Sequence, residues 1–276
     1  MANRAKQMEL LLIKESVQLG ATNQLTRLAQ LEDEKLKDPK LPEDERFALR
    51  AQQLQRRVNA KEENDPKSGL NEMEKGVREL KKEFPDREEI NSLFLAVAQG
   101  RLEQNEPEKA RTLAEEVLKN KPEREAAHEA ESLLKKLNLI GKPFVLKYNS
   151  VDGQDVDVQK MKGKVVLVDF WATWCGPCMA ELPHLKEAYK KLHAKGFEIV
   201  GISSDDDKEL LQKVIKKEEI SWAQYLDGDR GGPKFGEDFE IASIPTMWLI
   251  DKKGILRDLN AREDLENKVS KLLAED

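Results

Sequence analysis

The stretch that most constrains this chain is the run Val165-Val166-Leu167-Val168-Asp169-Phe170-Trp171 and the Trp174-Cys175-Gly176-Pro177-Cys178 that follows it. The run is apolar at all but one position and rich in β-branched and aromatic residues, so it reads as a strand buried on both faces. Met179, Leu182, Leu185, Tyr189 and Leu192 then follow at helical spacing. Cys175 therefore sits where a strand ends and a helix begins. Free backbone N–H groups and the helix dipole favour a thiolate there. Such a thiolate can attack a disulfide, and Cys178, about one turn on, can resolve the mixed disulfide.

Both cysteines of the chain lie in this stretch. A zinc site asks for about four ligands, and beyond the pair the chain has no other cysteine and only three His, His128, His184 and His193. A purely structural disulfide across two residues would close almost no loop and stabilise little. A cycling redox pair is what the strand–CxxC–helix context favours. No metal is expected, and no cofactor beyond a redox-active Cys175–Cys178 disulfide.

The string from Gly163-Lys164 through Trp174-Cys-Gly-Pro-Cys178 to Glu181-Leu-Pro183 resembles the thioredoxin superfamily and, within it, the TlpA/ResA-like thiol–disulfide oxidoreductases. The resemblance covers residues 141–276, about half the chain. It implies a thioredoxin-like α/β domain that exchanges disulfides with protein substrates. The Gly176-Pro177 dipeptide matches reducing thioredoxins and implies a reductase, with an oxidase or isomerase as the alternative. A peroxiredoxin, the nearest rival, needs Thr or Ser three residues before its cysteine, and Ala172 stands there.

Asp169 interrupts the apolar strand six residues before Cys175. It either points outward at the strand end or is a buried carboxylate whose pKa desolvation raises. In the second case it can take the proton of Cys178 as that thiol attacks. Small thioredoxins carry an Asp at the matching position, whereas ResA-like members often carry Asn. Small thioredoxins also place a Lys beside that Asp, and Gly201-Ile-Ser-Ser204 supplies none. The resemblance further makes Ile244-Pro245-Thr246 the superfamily's cis-proline segment, facing the cysteines. With Trp174, Gly176 and Pro177 it would contact an extended substrate. Glu181 matches an acid common in the family and is a candidate modulator, or else a solvated helical residue. Pro183 is expected to kink its helix. Trp248 reads as core, and His184 and His193 as surface.

The two halves differ in kind. All four Trp and all three Tyr follow residue 140. Net charge is −6, with 26 basic against 28 acidic residues over 1–140 and 21 against 25 thereafter, so neither half offers the basic face a nucleic acid requires. Residues 1–140 read as helices, each with one apolar stripe. The stripes run Met8–Val17, Leu25–Leu31, Phe47–Val58 after Pro42, Leu70–Phe84 before Pro85, Ile90–Leu102, Ala110–Val117 after Pro107, and Ala126–Leu137. Phe94–Pro122 faintly resembles a tetratricopeptide repeat, which would make this domain a solenoid or bundle. It is either inert, a dimerisation element, or a groove for a protein partner. If the groove is the working part, the chain is an interaction scaffold rather than an enzyme. Gly141-Lys142-Pro143 is the expected boundary between domains 1–140 and 141–276.

Beyond it, a hairpin (Phe144–Tyr148, Val156–Val158) precedes the core. Phe197–Ile202, Trp222–Leu226, Met247–Asp251 and Ile255–Leu259 read as strands. Helices are expected around Leu210–Ile215 and Leu265–Leu273, and a loop with a short helix over 228–239. This predicts a mixed sheet with helices on both faces. No run reaches the ~20 residues of a membrane span, and Met1 leads into only Leu10–Ile13, which is no signal peptide. The TlpA/ResA-like class is mostly exported and often membrane-tethered. The expected location is therefore periplasmic or otherwise extracytoplasmic, with the export signal outside this sequence and a membrane thiol donor as partner. A cytoplasmic protein is the alternative.

Overall fold

The helical stripes of the first half become seven helices among the described residues of a computed structural model, which are 2–18, 21–63, 65–228 and 234–275. By compactness the chain divides into two units, Met1–Gly100 and Arg101–Asp276.

In the first unit α1 (Ala2–Gln18) and α2 (Leu25–Leu36) are separate helices whose Leu10, Leu28 and Leu31 bury one another, with Ile13 and Val17 against them. Glu32 is fully buried, and Arg56 and Lys14 neutralise it. α3 (Glu43–Glu62) starts after Pro42 with Glu43, Asp44 and Glu45 in its first turn, where the helix dipole favours acids. Asp65 caps α4 (Pro66–Glu83) by accepting from the Lys67 and Ser68 amides. α3 and α4 pack closely at Gly76, where a Cβ would stand 2.0 Å from a Leu54 methyl. α5 (Glu89–Glu103) buries Ile90, Phe94, Val97 and Ala98.

The second unit takes in α6 (Pro107–Lys119) and α7 (Arg124–Leu137) as well as the α/β fold. Lys135 of α7 pairs with Glu240 at 2.6 Å. The hairpin β1 (Lys147–Asn149) and β2 (Asp155–Asp157) comes next. β3 (Val165–Trp171), α8 (Gly176–Leu192), β4 (Phe197–Ser203), α9 (Lys208–Lys217) and β5 (Gln224–Leu226) follow in order. The unit closes with α10 (Phe235–Asp238), β6 (Thr246–Ile250), β7 (Leu256–Asp258) and α11 (Leu265–Ala274). Residues 229–233 of the expected loop lie outside the described residues.

The five-stranded sheet has the order β5-β4-β3-β6-β7, with β3 parallel to β4, β4 parallel to β5, and β6 and β7 running antiparallel. β3 is central and every residue of it is buried, Asp169 included, as its almost wholly apolar run leads one to expect. Its two faces are chemically distinct. Val165, Leu167 and Trp171 pack with Leu182 and Leu185 of α8 and with Val269 and Leu272 of α11. Phe170 faces the other way, 5.4 Å from the Trp248 ring and 6.3 Å from Phe239. The outer edges are closed locally. The Val151 amide donates to the Gln224 carbonyl of β5 at 2.9 Å, and Leu256 of β7 exchanges hydrogen bonds with Gly141 and Lys142 at 2.8 and 3.0 Å. Among the described residues no helix is long and apolar enough to cross a membrane.

Candidate functional site

Where β3 ends, the chain turns through Ala172–Trp174 and enters α8 at Cys175, which occupies the N-cap position. Its sulfur accepts the Cys178 backbone N–H at 3.2 Å, so one of the free amides in the first turn of the helix is spent on sulfur. Cys175 and Cys178 are joined as a disulfide, their Cα atoms 5.2 Å apart. The Cys175 Sγ lies 3.8 Å from the Ile244 carbonyl oxygen, and the Ile244–Pro245 peptide is cis. Both cysteines are buried, whereas Trp174 is 69% exposed. Gly176 and Pro177 are exposed, and Ile244 and Pro245 are half-buried.

Asp169 is 4% exposed, which removes the outward-pointing alternative. It shares the face of β3 with Leu167 and Trp171, which pack in the cluster that holds Cys175, Cys178 and Leu182. Its Oδ1 makes no hydrogen bond. Burial, and secondarily the charge of Glu181, push its pKa up to about 7.

Glu181, one turn beyond Cys178, is half-buried rather than freely solvated. It accepts from Arg262 Nε at 3.0 Å and lies 3.3 Å from His184 Nδ1. α8 runs through Pro183 from Gly176 to Leu192 without a break, so the expected kink does not interrupt the helix. His184 and His193 are exposed, and Trp248 is core. Among the described residues no cluster of three His, Cys, Asp or Glu could hold a metal.

Two neighbours of the site escaped the sequence reading. Asp205, 2% exposed, accepts from Thr173 N at 3.0 Å, Thr173 Oγ1 at 2.6 Å and Ser203 Oγ at 2.5 Å, pinning the turn before Trp174. Gln224, equally buried, accepts the indole N–H of Trp171 at 2.8 Å. Their signals were a polar residue just past a buried strand and a lone amide inside one.

A family model described as Redoxin matches residues 138–275. The thiol-disulfide oxidoreductase ResA of Bacillus cereus is 29% identical over 126 residues, covering 44% of this chain and 71% of that protein. ResA of Bacillus subtilis is 31% identical over 111 residues, covering 40% and 59%. Among solved structures, the thioredoxin domain of a thiol-disulfide oxidoreductase from Bacteroides vulgatus is 31% identical, covering 49% of this chain and 97% of that one with a TM-score of 0.43.

Proposed function

Because the chain belongs to the Redoxin family and is a thiol–disulfide oxidoreductase, we propose that it works as a reductase of protein disulfides through Cys175, Cys178 and Asp169. The observation that carries this reading is the cysteine pair capping α8, with a buried carboxyl on the strand face beneath it. In the reduced protein, the helix N-terminus and the Cys178 amide favour a Cys175 thiolate. That thiolate attacks one sulfur of a substrate disulfide, and the other substrate sulfur leaves as a thiolate. Cys178 then gives its proton to Asp169 and attacks the Cys175 sulfur. The mixed disulfide breaks, the second substrate sulfur also leaves as a thiolate, and the pair is left as the disulfide; the two substrate thiolates take up one proton from Asp169 and one from solvent. Two electrons pass from protein to substrate. A carboxyl with a pKa of about 7 accepts and releases a proton near neutral pH.

Trp174, Gly176 and Pro177 would meet the substrate from one side, and the backbone at Ile244 from the other, with Pro245 fixing its direction. Glu181 would modulate Asp169 through its charge. Gly176-Pro177 supports the reductive direction. A pair poised near thioredoxin's about −270 mV reduces substrates that one near about −120 mV would oxidise. We place the protein outside the cytoplasm, fed by a membrane thiol donor, in keeping with the TlpA/ResA-like character of its motif. Native product in the cytosolic fraction would overturn both. The helical first half, read as helix pairs of a solenoid, would present a groove for a protein partner or a second copy.

The test is insulin reduction by the reduced protein. Cys175→Ser should abolish turnover, and Cys178→Ser should accumulate a mixed disulfide through Cys175. Undiminished activity in Cys175→Ser would sink the mechanism.

A further inference from the structure

Asp169, Gly201 and Gln224 stand side by side on β3, β4 and β5, Asp169 paired with Gly201 and Gly201 with Gln224. Residues paired in this way point to the same face of a sheet. Gly201 has no side chain, and the Gln224 amide fills the place of one. A Cβ on Gly201 would stand 2.1 Å from Gln224 Oε1 and 2.5 Å from Nε2. The amide therefore lies over β4, one strand spacing of about 4.8 Å from the backbone of Asp169.

Its orientation is fixed by chemistry. The indole of Trp171 can only donate, so the atom it meets at 2.8 Å is the oxygen and the free end is the NH₂. That NH₂ is buried without a hydrogen bond, and so is Asp169 Oδ1. A buried donor and a buried acceptor left unmet each carry a desolvation penalty. Here the two are complementary and lie in one row.

We propose that Gln224 is a positioning residue for Asp169, its Nε2 donating to the carboxyl through one bound water, with Gly201 as the gap that admits it. From α8, the charge of Glu181 acts on Asp169, and Cys175 and Cys178 lie in the cluster packed on the same face of β3. Glu181 is itself tied to Arg262 and close to His184. β6 contributes Met247, which is paired with Asp169 and cannot titrate. Gln224 is thus the neutral donor in an otherwise acidic or thiol setting, and it favours the ionised carboxyl that can take the Cys178 proton. The consequence for turnover rests on the proposed role of Asp169, but the assignment does not.

The test uses the full-length oxidised protein without substrate. The Gln224 side-chain amide resonances should titrate with the Asp169 midpoint, and that response should vanish in Asp169→Asn. Gln224→Met, which keeps the length and removes the donor, should raise the Asp169 midpoint, read by infrared difference against Asp169→Asn. The expected rise is about one pH unit, a tenfold weaker acid. Gly201→Ala, which displaces the amide and leaves its chemistry intact, should do the same. Amide resonances indifferent to Asp169 ionisation in the unsubstituted protein would overturn the proposal whether or not either variant folds. So would an unmoved midpoint in a folded variant. The catalytic reading fails separately, if Asp169→Asn resolves mixed disulfides at the unsubstituted rate and pH profile while the amide titration persists in the parent protein.

Discussion

A carboxyl buried at Asp169 makes the fold sensitive to pH in a definite direction. Its pKa is raised from an ordinary value near 3.9 to about 7, so below about pH 4 it is neutral in both folded and unfolded chains. Between those values the unfolded chain ionises and the folded one does not. Stability therefore falls as pH rises through this window and levels off above about 7. The gap corresponds to at most about 4 kcal/mol. Asp169→Asn should remove this loss, unfolding at higher denaturant than the parent at pH 8 and nearly matching it at pH 4. Urea titrations across that range check it, and parallel curves for the two proteins would contradict a buried acid. The same substitution should slow Cys178-dependent release of mixed disulfides most at neutral pH. Under the proposed role of Asp169, the stability lost while it is charged is what the strand interior gives up to hold a proton acceptor.

At the scale of elements, the turn from β3 to α8 is tied down by Asp205 in the segment after β4. Asp205→Ala would leave the Thr173 amide and hydroxyl and the Ser203 hydroxyl with a lost acceptor in a buried setting. A loss of about 2–3 kcal/mol is expected, with slower disulfide reduction because the turn carries Trp174 and Cys175. Asp205→Asn, which keeps one acceptor oxygen, should lose less, and denaturant midpoints distinguish the three proteins. β3, α8 and the helices of the first half were legible because their hydrophobic patterns are long, as in Val165–Trp171, broken only at Asp169, or Leu70–Phe84. The cysteine pair was legible from its spacing. Asp205 and Gln224 were not, because what they do depends on a neighbouring strand and on the missing side chain of Gly201. Such relations exist only after the sheet has formed. The half-buried position of Glu181 was hidden similarly, since Arg262, 81 residues on, is what holds it.

For the whole molecule, compactness groups α6 and α7 with the α/β fold, while the motif resemblance begins at residue 141. Residues 141–276 contain both cysteines and all five strands of the main sheet. They should fold alone and keep dithiol exchange, as circular dichroism and insulin reduction would show. A segment starting at 101 should be the more stable of the two, because Lys135 and Lys136 of α7 then keep their bonds to Glu240. An unfolded 141–276 would move the functional boundary upstream into the helices. The short stretch 141–151 has a further effect. It meets β7 at Gly141 and Lys142 and β5 at Val151, so one piece of chain covers hydrogen-bonding groups on both flanks of the sheet. Unpaired edges are where sheets of neighbouring molecules zip together into aggregates. By occupying those groups, the stretch that carries the chain into its first hairpin leaves less of either edge open to such pairing.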